Sequence, residues 1–123
     1  MRVNKNQIVH GITDYIQSDI LPKMANDRAM QIILSIAVNT ALANNKLVDA
    51  VLNQEIVRAL LEDDGTATYE VGKIADSMRT AIEQYGSFPV TIPAIPLLSP
   101  REITLNLDAA DVDSMRRRIE NAI

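Results

Sequence analysis

Apolar residues recur at helical spacing along most of the chain, and this pattern predicts a bundle of helices. The first apolar stripe covers about residues 5–21, after an Asn4–Gln7 pair that is typical of a capping box. It ends near Pro22, because proline disfavours helical geometry in the residue before it. A second helix is predicted at about 27–44. It is apolar around most of its circumference, which indicates a central position in the bundle.

The middle of the chain predicts shorter helices. The apolar residues of 47–52 suit a short third helix, and Asn53 is a suitable N-cap for a fourth. The pattern equally allows a single bent helix over 46–61. The apolar stripe then resumes in a helix at about 69–85, which Gly86 is well suited to end.

The helical pattern stops between Phe88 and Asp108, a segment that contains four of the chain's five prolines. Two alternating apolar runs predict strands at about 90–93 and 102–107. Their connection is too long for a two-residue hairpin. Because proline cannot donate a hydrogen bond to a strand ladder, Pro93 should end the first strand or confine it to an edge.

Asp108 is predicted to cap a last helix at 108–122, with a second carboxylate three residues on that favours the helix dipole. The predicted fold class is therefore mainly α: a compact bundle of about five to six helices with a small β-ribbon inserted before the C-terminal helix. No internal repeat or linker divides the chain. We expect one domain over 1–123, with a helical bundle at 4–86 and the ribbon at 88–107.

Composition restricts the kind of core and the kinds of functional site that the chain can form. Apolar residues make up 47% of the chain and aromatics only 3%, so the core must be largely aliphatic. The absence of cysteine excludes disulfides and thiolate metal sites. Four scattered glycines exclude a glycine-rich phosphate loop, and Gly11, inside the first helix, marks close approach of another helix.

Net charge and hydropathy bear on whether the protein binds nucleic acid or associates with a membrane. A net charge of −4 argues against broad electrostatic attraction to nucleic acid. The longest uncharged run, between Arg28 and Lys46, carries six Asn, Gln, Ser or Thr residues, so a buried helix suits it better than a membrane span. The first residues turn polar and acidic too soon for a signal peptide. We expect no membrane association.

The sequence offers little material for catalysis. The single histidine, His10, has Asp14 one turn later, and such a pair can orient a general base, but an ordinary surface pair is favoured. The acidic turn at 62–65 fails the EF-hand pattern, because Leu60 and Val71 occupy the positions that require carboxylates. A helix-ending turn is favoured there. We expect no enzyme activity, no metal, no cofactor and no small-molecule substrate.

Positive charge is concentrated in Arg116, Arg117 and Arg118. Three consecutive helical residues fan over about 200° of arc, so they do not all face one phosphate backbone. They lie near a helix C-terminus, where the dipole favours cations, and a structural role is the favoured interpretation. The alternative hypothesis is a nucleic-acid-associated regulatory protein that uses these arginines with Lys73 and Arg79.

The remaining candidate site is the ribbon, which is rich in apolar residues for so small a segment. An isolated two-stranded ribbon is marginal in water, so it should either fold back onto the bundle or pair with another subunit. The sequence weights these two outcomes equally. The predicted contact residues are Phe88, Val90, Ile92, Ile95, Leu97, Leu98, Ile103, Leu105 and Leu107. We expect a non-enzymatic interaction or assembly protein that self-associates through 88–108.

Four segments and the last helix resemble, in their order along the chain, those of a known group of proteins. The segments read ILPKM, ALANNKLVDAVLN, DDGTATYEVGKIADSM and EQYGSFPVTIPAIPLLSPREITL. In this order they resemble small uncharacterised proteins encoded in prophages and other mobile elements of Firmicutes bacteria. The resemblance covers nearly the whole chain and implies no activity and no site residues. It implies a bacterial cytoplasmic or phage-associated origin. Together with the ribbon, this leads us to expect a cytoplasmic or virion-associated protein whose partner is a second copy or another phage-encoded protein.

Overall fold

The computed structural model describes residues 1–24, 48, 51–92 and 101–122. In chain order the elements are β1 (Arg2–Asn4), α1 (Lys5–Tyr15), a π-helical turn (Ile16–Ile20), α2 (Leu21–Met24), α3 (Gln54–Glu62), β2 (Thr68–Glu70), α4 (Val71–Tyr85), β3 (Ser87–Ile92), β4 (Arg101–Asn106) and α5 (Ala109–Asn121). The described part is mainly helical with small antiparallel two-stranded sheets, which confirms the predicted class.

Within the described residues, the number of helices is lower than the predicted total. Because α1, the π-helical turn and α2 are continuous, the described residues contain four helices of two turns or more, against the five to six expected. The predicted helix at 27–44 lies outside the described residues. Around 46–61 the two-helix alternative is confirmed: Val48 and Val51 are helical, Leu52 and Asn53 are not, and α3 begins at the next residue.

The first helix was predicted to end near Pro22, but it continues to Met24. In a regular α-helix the proline ring would collide with the carbonyl of residue 18. The π-helical turn Ile16–Ile20 lies immediately ahead of the proline and widens the backbone there. The helical pattern therefore passes through a residue that usually stops it.

The helix starts follow the predicted caps. Asn4 and Gln7 form a capping box, in which Asn4 Oδ1 accepts from the Gln7 amide at 2.9 Å and Gln7 Oε1 from the Asn4 amide at 3.0 Å. Asn53 Oδ1 accepts from the backbone amide at the start of α3 at 3.1 Å. Asp108 and Asp111 form a second capping box at the start of α5. Each bond satisfies an amide that the helix itself leaves free.

One strand pair was not predicted. Thr68–Glu70, assigned by its pattern to the start of the fifth helix, is instead β2 and pairs antiparallel with β1, so that α4 begins at Val71. Arg2 reinforces the pairing, because its Nε donates to Thr68 Oγ1 at 2.9 Å. Three-residue strands are too short to show alternation, which is why the sequence pattern does not reveal them.

The core lies where α5 packs against α1 on one side and against α4 on the other. Its buried side chains include Val3, Ile8, Ile12, Tyr15, Ile16, Val71, Ile74, Met78, Leu105, Leu107, Val112, Met115 and Ile119. The last helix contributes Val112, Met115 and Ile119 to this core, which is largely aliphatic as the composition requires. Across the described ranges, no helix combines the length and the hydropathy that crossing a membrane requires.

Candidate functional site

The predicted ribbon forms from β3 and β4. The two strands pair antiparallel from Ser87 opposite Asn106 to Ile92 opposite Arg101. β3 begins three residues earlier than predicted and ends one residue earlier, and β4 begins and ends one residue earlier. β3 thus ends at the residue before Pro93, as expected of a proline that cannot continue a ladder. The ribbon between the last two helices is therefore confirmed.

The base of the ribbon is joined to the bundle. Gly86 ends α4 with a φ of 64°, a left-handed conformation that glycine adopts without a steric penalty. Its carbonyl accepts a hydrogen bond from the Leu107 amide at 3.1 Å. Leu105 is 1% exposed and Leu107 6% exposed, whereas Thr104 and Asn106 are exposed. One face of β4 therefore packs on the bundle of its own chain.

The nine predicted contact residues thus divide into three groups. Leu105 and Leu107 belong to the core of the chain itself and are not free to contact a partner in this fold. Four others lie in the paired strands, where the register sets Phe88 opposite Leu105 and Val90 opposite Ile103, with Ile92 at the end of β3. The remaining three, Ile95, Leu97 and Leu98, lie outside the described residues.

Both strands of the ribbon have an outer edge. Within the described ranges β3 pairs with β4 alone and β4 with β3 alone. The edge of such a pair presents backbone N–H and C=O groups that can hydrogen-bond to a further strand. The exposed side chains of Thr104 and Asn106 are on the strand whose other face is buried.

The three consecutive arginines face different neighbours, as their fan on a helix predicts. Arg116 Nε donates to Glu120 at 2.8 Å, and Arg117 Nη2 donates to the Ser114 hydroxyl at 3.3 Å. Arg118 binds two carboxylates of the neighbouring helix. These contacts favour the structural interpretation, while the nucleic-acid hypothesis stays a prediction.

The other two residues of that hypothesis lie on α4. Arg79 is held between two carboxylates, at 3.1 Å from Asp76 and 3.2 Å from Asp113. Lys73 is exposed. Because Asp113 belongs to α5, the Arg79 pair links α4 to the helix that carries the three arginines, and acidic side chains neutralise much of this surface.

A buried polar contact between α1 and α5 was not predicted. The Tyr15 hydroxyl, in a residue only 4% exposed, donates to the carboxylate of Asp111. Burial, followed by this hydrogen bond, raises the pKa of Tyr15 to about 12. The only sequence signal was a tyrosine within an apolar helical stripe, and such a residue usually needs a partner for its hydroxyl.

His10 and Asp14 do not act together. His10 is exposed and lines an open pocket of about 650 Å³ with Asn4, Asn6 and Gln7. Two of those side chains are already used in the capping box, and Gln7 also donates to a backbone carbonyl of the C-terminal segment at 2.8 Å. The Asp14 carboxylate binds Arg118. This geometry fits the predicted surface role of His10.

The acidic turn after α3 is held by its own backbone, as predicted. Asp63 Oδ1 accepts from the amides of Gly65 and Ala67 at 2.9 and 3.2 Å. Asp64 accepts from the Thr66 amide and hydroxyl, and these bonds lower the pKa of Asp64. Within the described ranges, no three His, Asp or Glu side chains are grouped closely enough to hold a metal ion.

Comparisons of the chain with protein-family models, with curated proteins and with solved structures found no match. No activity, partner or site residue is therefore carried over from another protein. The function must follow from the ribbon and the charged surfaces of the chain itself.

Proposed function

We propose that the protein is a non-enzymatic interaction or assembly protein of phage or prophage type, which self-associates through residues 88–108 in the cytoplasm or in a virion. The observation that carries the proposal is the two-stranded ribbon of β3 and β4, whose strands have no further strand partner in the described part of the chain. Addition of a strand at a sheet edge is a common mode of protein recognition. A further strand at either edge would add backbone hydrogen bonds to those that already join β3 and β4.

Burial of Leu105 and Leu107 restricts which parts of the ribbon can form the proposed contact. Since one face of β4 packs on its own bundle, the contact would use the strand edges, the opposite face with Thr104 and Asn106, and the connection between the strands. A second copy of the chain is the natural partner, because identical edges can pair around a two-fold axis in a self-complementary contact.

Light scattering over a range of protein concentrations tests the proposal. We expect a dimer or larger species at high concentration, weakened when Thr104→Lys and Asn106→Lys are combined, because lysines on an edge strand oppose pairing. The matched control is Thr80→Lys with Asn121→Lys. It changes the same residue types to the same charge at exposed positions on α4 and α5.

Two results would count against the proposal. A monomer at every concentration would remove self-association altogether. Equal weakening by the ribbon pair and by the control pair would show that net charge, rather than the ribbon, governs association. Circular dichroism of all variants confirms that each has kept its helical content.

A further inference from the structure

Arg118 of α5 binds carboxylates on both sides of a change in helix type. Its Nη1 donates to Asp14, which lies in the last turn of α1. Its Nη2 donates to Asp19, inside the π-helical turn Ile16–Ile20, at 3.0 Å. A single guanidinium therefore bridges the end of the α-helix and the π-helical turn that follows it.

The bridge matches the π-helical geometry. Asp14 and Asp19 are five residues apart, and on a regular α-helix residues five apart point about 140° away from each other. A π-helix instead closes its hydrogen bonds between residues five apart, which brings such residues onto one side. The planar fork of an arginine suits simultaneous contact with two carboxylates held in this way.

In the described part of the chain, the segment beyond the bridge is more exposed than the helix before it. Ser18, Pro22 and Lys23 are exposed, and Pro22 has no amide to donate to the helix. Ile20, at 8% exposure, is the side chain of this segment that packs in the core, so the bridge adds to a single buried apolar contact among the side chains described there. The preceding part of the helix is held independently, by the buried Ile16 and by the hydrogen bond from Tyr15 to α5. Loss of the bridge would therefore affect residues 18–24 first.

We propose that Arg118 is a releasable clamp, which holds the π-helical turn closed and whose release opens residues 18–24 while α1 stays packed on α5. The three side chains of the clamp are between 36% and 41% exposed, so water and salt reach them. Ionic strength weakens ion pairs of this kind far more than it weakens apolar packing.

Amide hydrogen exchange of the full chain, resolved by residue, tests the clamp. In Arg118→Gln we expect the amides of 18–24 to exchange roughly fivefold faster or more, with the amides of α4 unchanged. The matched control is Arg116→Gln, which removes a similarly exposed ion pair, to Glu120, within α5. The control should leave exchange in 18–24 as it is in the unaltered protein.

A salt titration supplies a second readout. Raising the ionic strength to about 1 M, where the screening length is only about 3 Å, should accelerate exchange of 18–24 in the unaltered protein but hardly in Arg118→Gln. If Arg118→Gln fails to fold, Asp19→Asn should give the same local acceleration, because it removes only the bond to the π-helical turn. The proposal is overturned if Arg118→Gln matches the Arg116→Gln control, or if exchange rises equally in all helices.

Discussion

Gly11 of α1 and Ile119 of α5 approach so closely that no side chain fits between them. A β-carbon built on Gly11 would lie 2.5 Å from Ile119 Cγ1 and 2.6 Å from its backbone N and Cα. Backbone atoms cannot rotate out of the way as the end of a flexible side chain can. The missing side chain at Gly11 therefore sets the distance between the two helices, as the position of this glycine within the first helix predicted.

Gly11→Ala should destabilise the protein by about 1–3 kcal/mol, because the added methyl group overpacks a contact with backbone on the facing side. The control is Gly72→Ala near the start of α4, where an added β-carbon meets nothing within 4 Å. That change should leave stability unchanged or raise it by up to about 1 kcal/mol, through the better helix propensity of alanine. Urea denaturation measures both. A Gly11→Ala protein as stable as the control variant would contradict the close approach.

Sequence reasoning succeeded where the physics is local. The caps at Asn4, Asn53 and Asp108 could be predicted because each depends on one side chain and an amide three residues further on. The ribbon could be predicted because alternation and proline leave few other structures open to residues 88–107. Burial of Leu105 and exposure of Thr104 follow from the same alternation.

The features that sequence reasoning missed depend on distant partners. β2 exists because residues 68–70 meet β1 across more than sixty positions of chain, and nothing local distinguishes it from the start of α4. The π-helical turn is contacted by Arg118, which lies 99 positions beyond Asp19. The partner of the Tyr15 hydroxyl is likewise a residue of α5. In each case local propensity leaves the structure open and tertiary contacts decide it.

The pKa of Tyr15 predicts a loss of stability at alkaline pH. Folding raises this pKa from 10.0 to about 12, so the stabilisation is complete below pH 10 and disappears as the pH rises through 12. A shift of this size corresponds to about 3 kcal/mol as an upper value. The free energy of unfolding should therefore fall between pH 10 and 12 more steeply in the unaltered protein than in Tyr15→Phe.

Tyr69→Phe is the control for this titration. Burial and a hydrogen bond to Asp63 also raise the pKa of Tyr69, but its hydroxyl lies in the turn after α3 rather than between α1 and α5. Denaturant unfolding of both variants at a series of pH values gives the free energy of unfolding as a function of pH. This distinguishes the titration of each tyrosine from the general effect of alkali on stability. A Tyr15→Phe variant with the same dependence on pH as the unaltered protein would show that Tyr15 does not contribute.

The cap of α5 can be tested with the acceptor removed or kept. Asp108→Ala should cost about 1 kcal/mol, since the Asp111 amide loses its side-chain acceptor at 3.1 Å and keeps only the backbone carbonyl of residue 108. Asp108→Asn should restore most of this stability, because asparagine is as good an N-cap and keeps the side-chain oxygen. Thermal unfolding measures both variants. Equal losses in the two would point to the charge of Asp108, rather than its capping bond, as the source of stability.

Substitution by aspartate should destabilise the protein strongly on the buried face of β4 and only slightly on its exposed face. Leu105→Asp places a carboxylate in the core, and we expect a loss of more than about 3 kcal/mol, because a buried charge without a partner is strongly destabilising. Thr104→Asp, one residue earlier on the exposed face, should change stability by no more than about 1 kcal/mol. If Leu105→Asp does not fold, Leu105→Ala should still cost about 2–5 kcal/mol in denaturant unfolding. Unchanged stability in Leu105→Ala would mean that the ribbon does not pack on its own bundle, and the whole apolar face of β4 would then be open to a partner.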